Sequence, residues 1–261
     1  MAKIPATVEI LTFNNKSTIA KTLESVRDFD DILALDGGST DGTLEILHSF
    51  GARILPQEPD STGPRPISDF SKVRNRGLLE AKHPWFLFID SDEALTPEIS
   101  NEIWEIAESP KPNFYIWNVP RKYTINGELI NCATTYPNTQ PRFFHRDYVE
   151  GFIKPIHEKI VPRAGVRAGT LKNHMLVPLS PAKELWAKWQ RYLMLEDKRW
   201  GEMSRTEALQ KSANALKPIV LYFLRLPKRF FCRGRSMPLS YEFLYQRYNF
   251  ALLFKLLKRL I

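Results

Sequence analysis

The sequence predicts an α/β fold: a doubly wound, mostly parallel sheet, a small antiparallel region after it, and a helical, basic C-terminal appendage. Three observations carry this expectation. Over the first hundred residues, apolar runs bounded by turn residues alternate with helix-like stretches, as strands and crossover helices do. The run Trp85-Phe86-Leu87-Phe88-Ile89 is apolar at every position, which suits a strand buried on both faces inside a parallel sheet. From Leu216 to Ile261 ten Lys or Arg residues stand against one acid, Glu242, amid many Leu, Phe and Tyr.

The first strand is expected at Val8–Thr12, followed by Phe13-Asn14-Asn15 and a helix over Ser17–Arg27. A second strand, Ile32–Leu35, runs into Asp36-Gly37-Gly38-Ser39-Thr40-Asp41-Gly42-Thr43. The glycines there permit a tight turn, and Asp41 can cap a helix over Thr43–Phe50. A short strand at Ala52–Leu55 and a proline-rich loop precede a helix over Ser68–Ala81 that carries Lys72, Arg74 and Arg76. The strand Trp85–Ile89 then ends in Asp90-Ser91-Asp92-Glu93. Thr96-Pro97 supplies an N-cap and a first-turn proline for the next helix. Carboxylates at the carboxyl end of a parallel strand emerge at the sheet rim, where open α/β folds bind ligands. Two aspartates one residue apart can hold a hard divalent cation and leave coordination sites for water and phosphate.

Four motifs, in order and in context, resemble family 2 glycosyltransferases, the inverting enzymes of GT-A fold. They are Thr12-Phe13-Asn14, Asp36 to Thr43, Arg74-Asn75 and Asp90-Ser91-Asp92, and the resemblance covers about residues 6 to 100. It implies a GT-A-type sheet that binds a nucleotide-diphosphate sugar, commonly a UDP-sugar, with Mg2+ or Mn2+. It implies that Asp36 meets the nucleobase, with Thr12, Phe13 and Asn14 around the same pocket. Arg74 would lie against base or diphosphate, Asp90 against ribose, and Asp92 against metal. Gly37 departs from the family pattern, which often has a second carboxylate or Ser there, so the base preference is open.

The middle of the chain is where an acceptor site and a catalytic base belong. Phe114–Tyr123 and Glu128–Thr134 alternate like strands about the turn signal Ile125-Asn126-Gly127, and Arg142–His145 reads as another strand. A subgroup that builds lipopolysaccharide cores has an Arg-Leu-Phe-Arg run followed by a His-Glu pair here. Arg142-Phe143-Phe144-His145-Arg146 and His157-Glu158 resemble it. Inverting transfer needs a carboxylate to take the acceptor's proton. The resemblance makes Glu158 that base, His157 its orienting or phosphate-contacting neighbour, Arg142 an acceptor-side residue, and His174 a residue near metal or diphosphate. The dyad Glu196-Asp197 competes for the base role. Its spacing to Lys198-Arg199-Trp200 is wrong for the family's Gln-x-x-Arg-Trp motif, so it reads as the polar face of a helix from Ser180-Pro181 to about Trp200. The same absence predicts one sugar added per encounter.

These readings divide the chain into a catalytic domain, residues 1–178, and a helical region, 179–261. The domain has a nucleotide-binding half to about residue 100 and an acceptor half from 101. Length, 43% hydrophobic residues and a net charge of +8 suit one sizeable domain with a surface attraction. Cys132 and Cys232 lie far apart without metal spacing, which favours reduced thiols although one bridge stays open. No signal peptide or membrane-spanning run is read, so the expectation is a cytoplasmic enzyme, peripheral on the inner face of the membrane. Lys217–Arg225 reads as a short interfacial helix. A last helix from about Tyr241 sets Arg247, Lys255, Lys258 and Arg259 on one arc. Basic, aromatic and amphipathic, this region suits an anionic membrane surface and a lipid-linked acceptor, whereas nothing supports nucleic acid as partner. Two other classes remain: a sugar nucleotidyltransferase, against which the lack of a Gly-rich phosphate loop counts, and a non-catalytic protein with a degenerate transferase domain.

Overall fold

A computed structural model describes residues 2–58, 63, 67–155, 158–201 and 203–260. It divides into two compact units, Met1–Arg121 with Asn138–Val177, and Lys122–Pro137 with Pro178–Ile261.

In the first unit the alternation runs β1 (Ile4–Thr12), α1 (Ile19–Val26), β2 (Phe29–Asp36), α2 (Thr43–Ser49), β3 (Arg53–Pro56), α3 (Phe70–Glu80) and β4 (Trp85–Asp90). A two-residue β5 (Ala94–Leu95) and α4 (Pro97–Glu108) follow. β6 (Ile116–Ile125) begins in the first unit, and its end, with β7 (Glu128–Leu129), belongs to the second. The first unit continues with β8 (Thr139–His145), β9 (Val149–Ile153), β10 (Lys159–Pro162), β11 (Ala168–Thr170) and β12 (Met175–Pro178). Strand order in the main sheet is β3-β2-β1-β4-β8-β6-β12-β5, and β9 with β10 forms a separate two-stranded ladder. β3, β2, β1 and β4 are parallel, while β8 is antiparallel to both β4 and β6. This is the GT-A-type arrangement expected, a parallel nucleotide-side half continued by an antiparallel half.

The two-residue period of β1 decides what lies on each face. Val8 and Ile10 pack with Ile19, Leu23 and Val26 of α1, whereas Leu11 faces Val73 of α3 with Leu35. β4 does the same: Leu87 and Ile89 join the first cluster, and Phe86 and Phe88 join Phe144 and Phe152 in a second. Both faces of the central strands are therefore apolar, which is why Trp85–Ile89 carries no polar alternation. Thr96 caps α4 by accepting from the Ile99 N–H, with Pro97 in the first turn, as the sequence predicts.

The second unit holds α5 (Ala182–Arg199), α6 (Arg205–Arg225) and α7 (Leu239–Leu257). Asn126 and Gly127, at φ 52° and 80°, turn β6 into β7, the geometry an Asn-Gly hairpin favours. The expected strand Glu128–Thr134 stops at Leu129, because Asn131 and Cys132 bond to the Arg235 carbonyl. The short helix expected at Lys217–Arg225 is the end of the longer α6, which Ser204 caps through the Glu207 N–H. The reduced thiols favoured by the sequence are also corrected: Cys132 and Cys232 form a disulfide. A sequence separation of 100 hid the pairing, and the fold closes the gap.

Candidate functional site

At the carboxyl ends of β1 and β2 the turn residues hold one another. Asp36 accepts from Gly38 N–H at 2.8 Å and Ser39 N–H at 2.7 Å through Oδ1, and from Thr12 and Ser39 hydroxyls through Oδ2. Asn14, at φ 53°, donates its N–H to Ser39 Oγ and accepts the Thr40 N–H. The motif Thr12-Phe13-Asn14 is thereby locked to the turn after β2. Thr12 and Asp36 are buried, Phe13 is half-buried and Asn14 exposed. Asp36 thus has a strong structural task in shaping this rim.

The charged centre lies one strand away. Arg74 projects from α3 and its side chain is only 1% exposed. Its Nη1 donates to Glu9 Oε2 at 2.7 Å, Nη2 to Asp90 Oδ1 at 3.1 Å, and Nε lies 3.6 Å from Glu158 Oε1. Arg142 reaches Asp90 Oδ2 from β8 at 3.4 Å and Glu93 Oε2 at 3.4 Å. Arg121 donates to the other oxygen of Glu93. Both Arg74 and Arg142 place their guanidinium carbons over the Phe88 ring, at 4.7 and 4.6 Å.

Asp90 is consequently held between two cations while its side chain stays 46% open. Burial works to raise its carboxyl, but the Arg142, Arg74 and Arg121 guanidiniums outweigh it and hold it well below the usual range. Asp90 is an anion across ordinary pH. Glu93 turns inward, accepting from the Asp90 N–H at 3.1 Å, so the last acid of Asp90-Ser91-Asp92-Glu93 is a buried brace of the turn.

Asp92 is exposed at the tip of that turn. Among the described residues no group of three or more His, Cys, Asp or Glu could form a closed metal site. One outward carboxylate at a rim fits Mg2+ or Mn2+ only as cations completed by phosphate oxygens and water, which is how Mg2+ is commonly bound beside nucleotides. His174 stands just before β12, where its carbonyl accepts the Thr96 hydroxyl and its imidazole field acts on Glu98.

The structure brings together Arg74, Asp90, Arg142 and Glu158; His157 lies outside the described residues. The competing dyad is engaged elsewhere, since Asp197 receives Lys255 at 2.7 Å and Arg259 at 3.0 Å in the helical unit. Sequence reasoning missed three supports. Phe88 was read as core only. Glu9 was unremarked in its strand. Asn75 clamps β9, accepting the Phe152 N–H at 2.7 Å and donating to its carbonyl at 2.8 Å. Gly151, at φ 130°, makes room for that clamp, because a Cβ there would meet Asn75 Oδ1 at 2.7 Å. A cleft of about 490 Å3 lined by Trp85, Tyr115, His145 and Tyr148 lies at the opposite end of β4 and shares nothing with this centre.

Known proteins were compared with this arrangement. The lipopolysaccharide core biosynthesis glycosyltransferase LpsC of Rhizobium meliloti is 25% identical over 231 residues, 86% of this chain and 81% of its own. The glycosyltransferase SunS of Bacillus subtilis is 33% identical over 103 residues, 39% of this chain and 23% of its own. Among solved structures, S. aureus TarS 1-349 in complex with UDP-GlcNAc matches at 16% identity and TM-score 0.48, over 74% of this chain and 66% of that one. A family model described as glycosyl transferase family 2 matches residues 7–169, well over half of the sequence, and the chain belongs to that family.

Proposed function

We propose that this glycosyltransferase moves a single sugar, with inversion, from a UDP-sugar to a lipid-linked glycan of the cell envelope. The observation that carries the reading is the cluster at the carboxyl end of β4, where Asp90 and Glu158 share Arg74 beside an outward Asp92. Solved structures of TarS and of glucosyl-3-phosphoglycerate synthase hold UDP or UDP-sugars, the latter with Mn2+, and LpsC is named for lipopolysaccharide core synthesis. These support the donor, cation and acceptor class.

In this reading the base packs between Thr12, Phe13 and the turn after Asp36, and Asp90 receives the ribose. A Mg2+ or Mn2+ at Asp92, with His174 nearby, neutralises the leaving diphosphate when bound. Arg74 adds fixed positive charge for the same anion, already oriented and dry. Arg142 faces the acceptor side. Glu158, 17% exposed, takes the proton from the acceptor hydroxyl as its oxygen attacks the anomeric carbon from the face opposite the leaving group. The nucleoside diphosphate departs with the bonding electrons.

The helical unit supplies the site of action. Among the described residues no helix is long and apolar enough to cross a membrane. The basic, aromatic segment from Leu216 onward suits attachment at a surface, which we take to be the cytoplasmic leaflet, since that leaflet carries anionic lipid. The deciding experiment follows product from a panel of nucleotide sugars: free nucleoside diphosphate is expected, and pyrophosphate would indicate nucleotidyl transfer. Asp92→Ala, or excess chelator, should abolish transfer without lowering the melting temperature. Full activity in either case would overturn the metal assignment.

A further inference from the structure

Glu9 occupies the middle of β1 on the face that α3 covers, and it is fully buried. Its Oε2 accepts from Arg74 and its Oε1 has no hydrogen-bond partner among the described residues. α3 approaches so closely that a Cβ at Gly77 would lie 1.8 Å from Glu9 Oε1. A side chain at that position would have to displace the buried carboxylate, so the glycine lets α3 close over it.

The charges around Arg74 do not balance. Four carboxylates, Glu9, Asp90, Glu93 and Glu158, share three guanidiniums, Arg74, Arg121 and Arg142. Among the described residues one negative charge is in excess, and an uncompensated charge costs most where water is absent. That place is Glu9. We propose that Glu9 is a positioning residue for the donor, holding Arg74 from behind and setting, by whether it carries a proton, how strongly that guanidinium attracts the donor diphosphate. The proposal rests on the donor-site reading above.

Burial pushes the Glu9 carboxyl up from its ordinary 4.5 to about 7, with the Arg74 charge and hydrogen bond opposing and the Glu158 and Asp90 charges assisting. Arg74 faces it from α3, Asp90 from β4 and Glu158 from the segment before β10. With Glu9 protonated, the charge of Arg74 is divided among Asp90, Glu158 and the incoming diphosphate. With Glu9 ionised, a sealed ion pair takes a large share of that charge, and donor binding weakens as pH rises through the neutral range.

UDP-glucose is the probe, since its diphosphate does not titrate between pH 6 and 8.5, and binding is followed by calorimetry with Mg2+. Wild-type affinity should fall about fivefold or more across that range, the scale of ordinary coupling between sites. Glu9→Gln should bind with the low-pH affinity throughout, and Glu9→Asp, which keeps a titratable group, should restore the dependence. Melting temperature gives a second readout. A folded carboxyl above its unfolded value stabilises the fold at low pH, and that stability is lost as pH rises from about 4.5 through 7. This decline should be smaller in Glu9→Gln. Parallel pH profiles of wild type and Glu9→Gln in binding and melting would overturn the inference while leaving the donor site standing. Absence of UDP-glucose binding at every pH in all variants would instead remove the donor reading, and this inference with it.

Discussion

Glu158 carries the heaviest chemical assignment of any residue here, and its surroundings decide how it can be tested. It lies 3.6 Å from Arg74 Nε and in the field of Arg142, and Gln keeps its shape while removing the proton acceptor. Glu158→Gln should leave donor affinity nearly unchanged while turnover falls roughly a hundredfold or more, the usual contribution of a general base. Separate measurement of donor binding and steady-state turnover checks this. Normal turnover would pass the role to another carboxylate, although not readily to Asp197, which two cations already neutralise. At this scale the sequence was informative about rim residues and silent about their supports. Asp90 and Asp92 could be recognised because a strand end exposes them in any parallel sheet. Glu9 could not, because a lone acid in an apolar strand looks like a solvent-facing position until its partner on a distant helix is known. Glu93 reads as a fourth surface acid for the same reason, yet Arg121 and Arg142 draw it inside.

The elements follow the same division. Strands and helices up to β4 were legible in type and order, since each has its own period and its own turn chemistry, from Asp36 to Thr43 or Thr96-Pro97, although β1 and β2 begin at Ile4 and Phe29, before the expected Val8 and Ile32. α3 was legible as a helix and not as a structural keystone. It is a polar helix whose buried face carries Val73, Arg74 and Gly77, so periodicity alone marks little of it as inward. Its other inward duty belongs to Asn75, whose two bonds to Phe152 fix β9, and the Phe70 N–H bonds the Pro155 carbonyl just beyond. These contacts set where the chain approaches Glu158. Asn75→Ala should therefore lower turnover more than its stability cost implies. That cost should be about 1–3 kcal/mol, the penalty for leaving the Phe152 backbone groups unpaired. Urea unfolding and turnover measured on the same preparation separate the two, and unchanged turnover would show that β9 finds its place without the clamp. Long-range pairings were the part the sequence hid: Asn75 with Phe152, Arg225 with the Thr134 carbonyl, and Cys132 with Cys232 are each set by tertiary closure.

For the molecule as a whole the remaining question is what its basic helical unit meets. The structure redistributes the charges that the sequence set on one arc of the last helix. Lys255 and Arg259 bind Asp197, whereas Arg247 stacks on Trp186 at 4.1 Å and Lys258 lies over the Phe254 ring at 4.6 Å. The single acid from Leu216 onward, Glu242, is buried against Thr134 and contributes no surface charge. Among the polar residues that α6 and α7 expose stand large apolar ones: Leu216, Val220 and Phe223 along one, Phe243, Phe250 and Phe254 along the other. Between them Phe230 and Phe231 stand 87% and 85% exposed, flanked by Lys228, Arg229, Arg233 and Arg235 and fixed by the neighbouring Cys232 bridge. A second copy of this chain would set one basic surface against another, whereas an anionic bilayer offers opposite charge and an apolar interior. We therefore expect full-length protein to sediment with liposomes containing phosphatidylserine, and high salt to weaken binding because exposed charges are screened over about 8 Å even at physiological ionic strength. Replacing Phe230 and Phe231 together by Ser should reduce binding strongly and leave the melting temperature unchanged, since neither ring is packed. UDP-glucose hydrolysis should be unaffected, because the donor residues all lie in the first unit. Equal partitioning of wild type and the double variant onto neutral and anionic liposomes would show that these rings face water, and would leave the attraction of the unit to be sought in a protein partner.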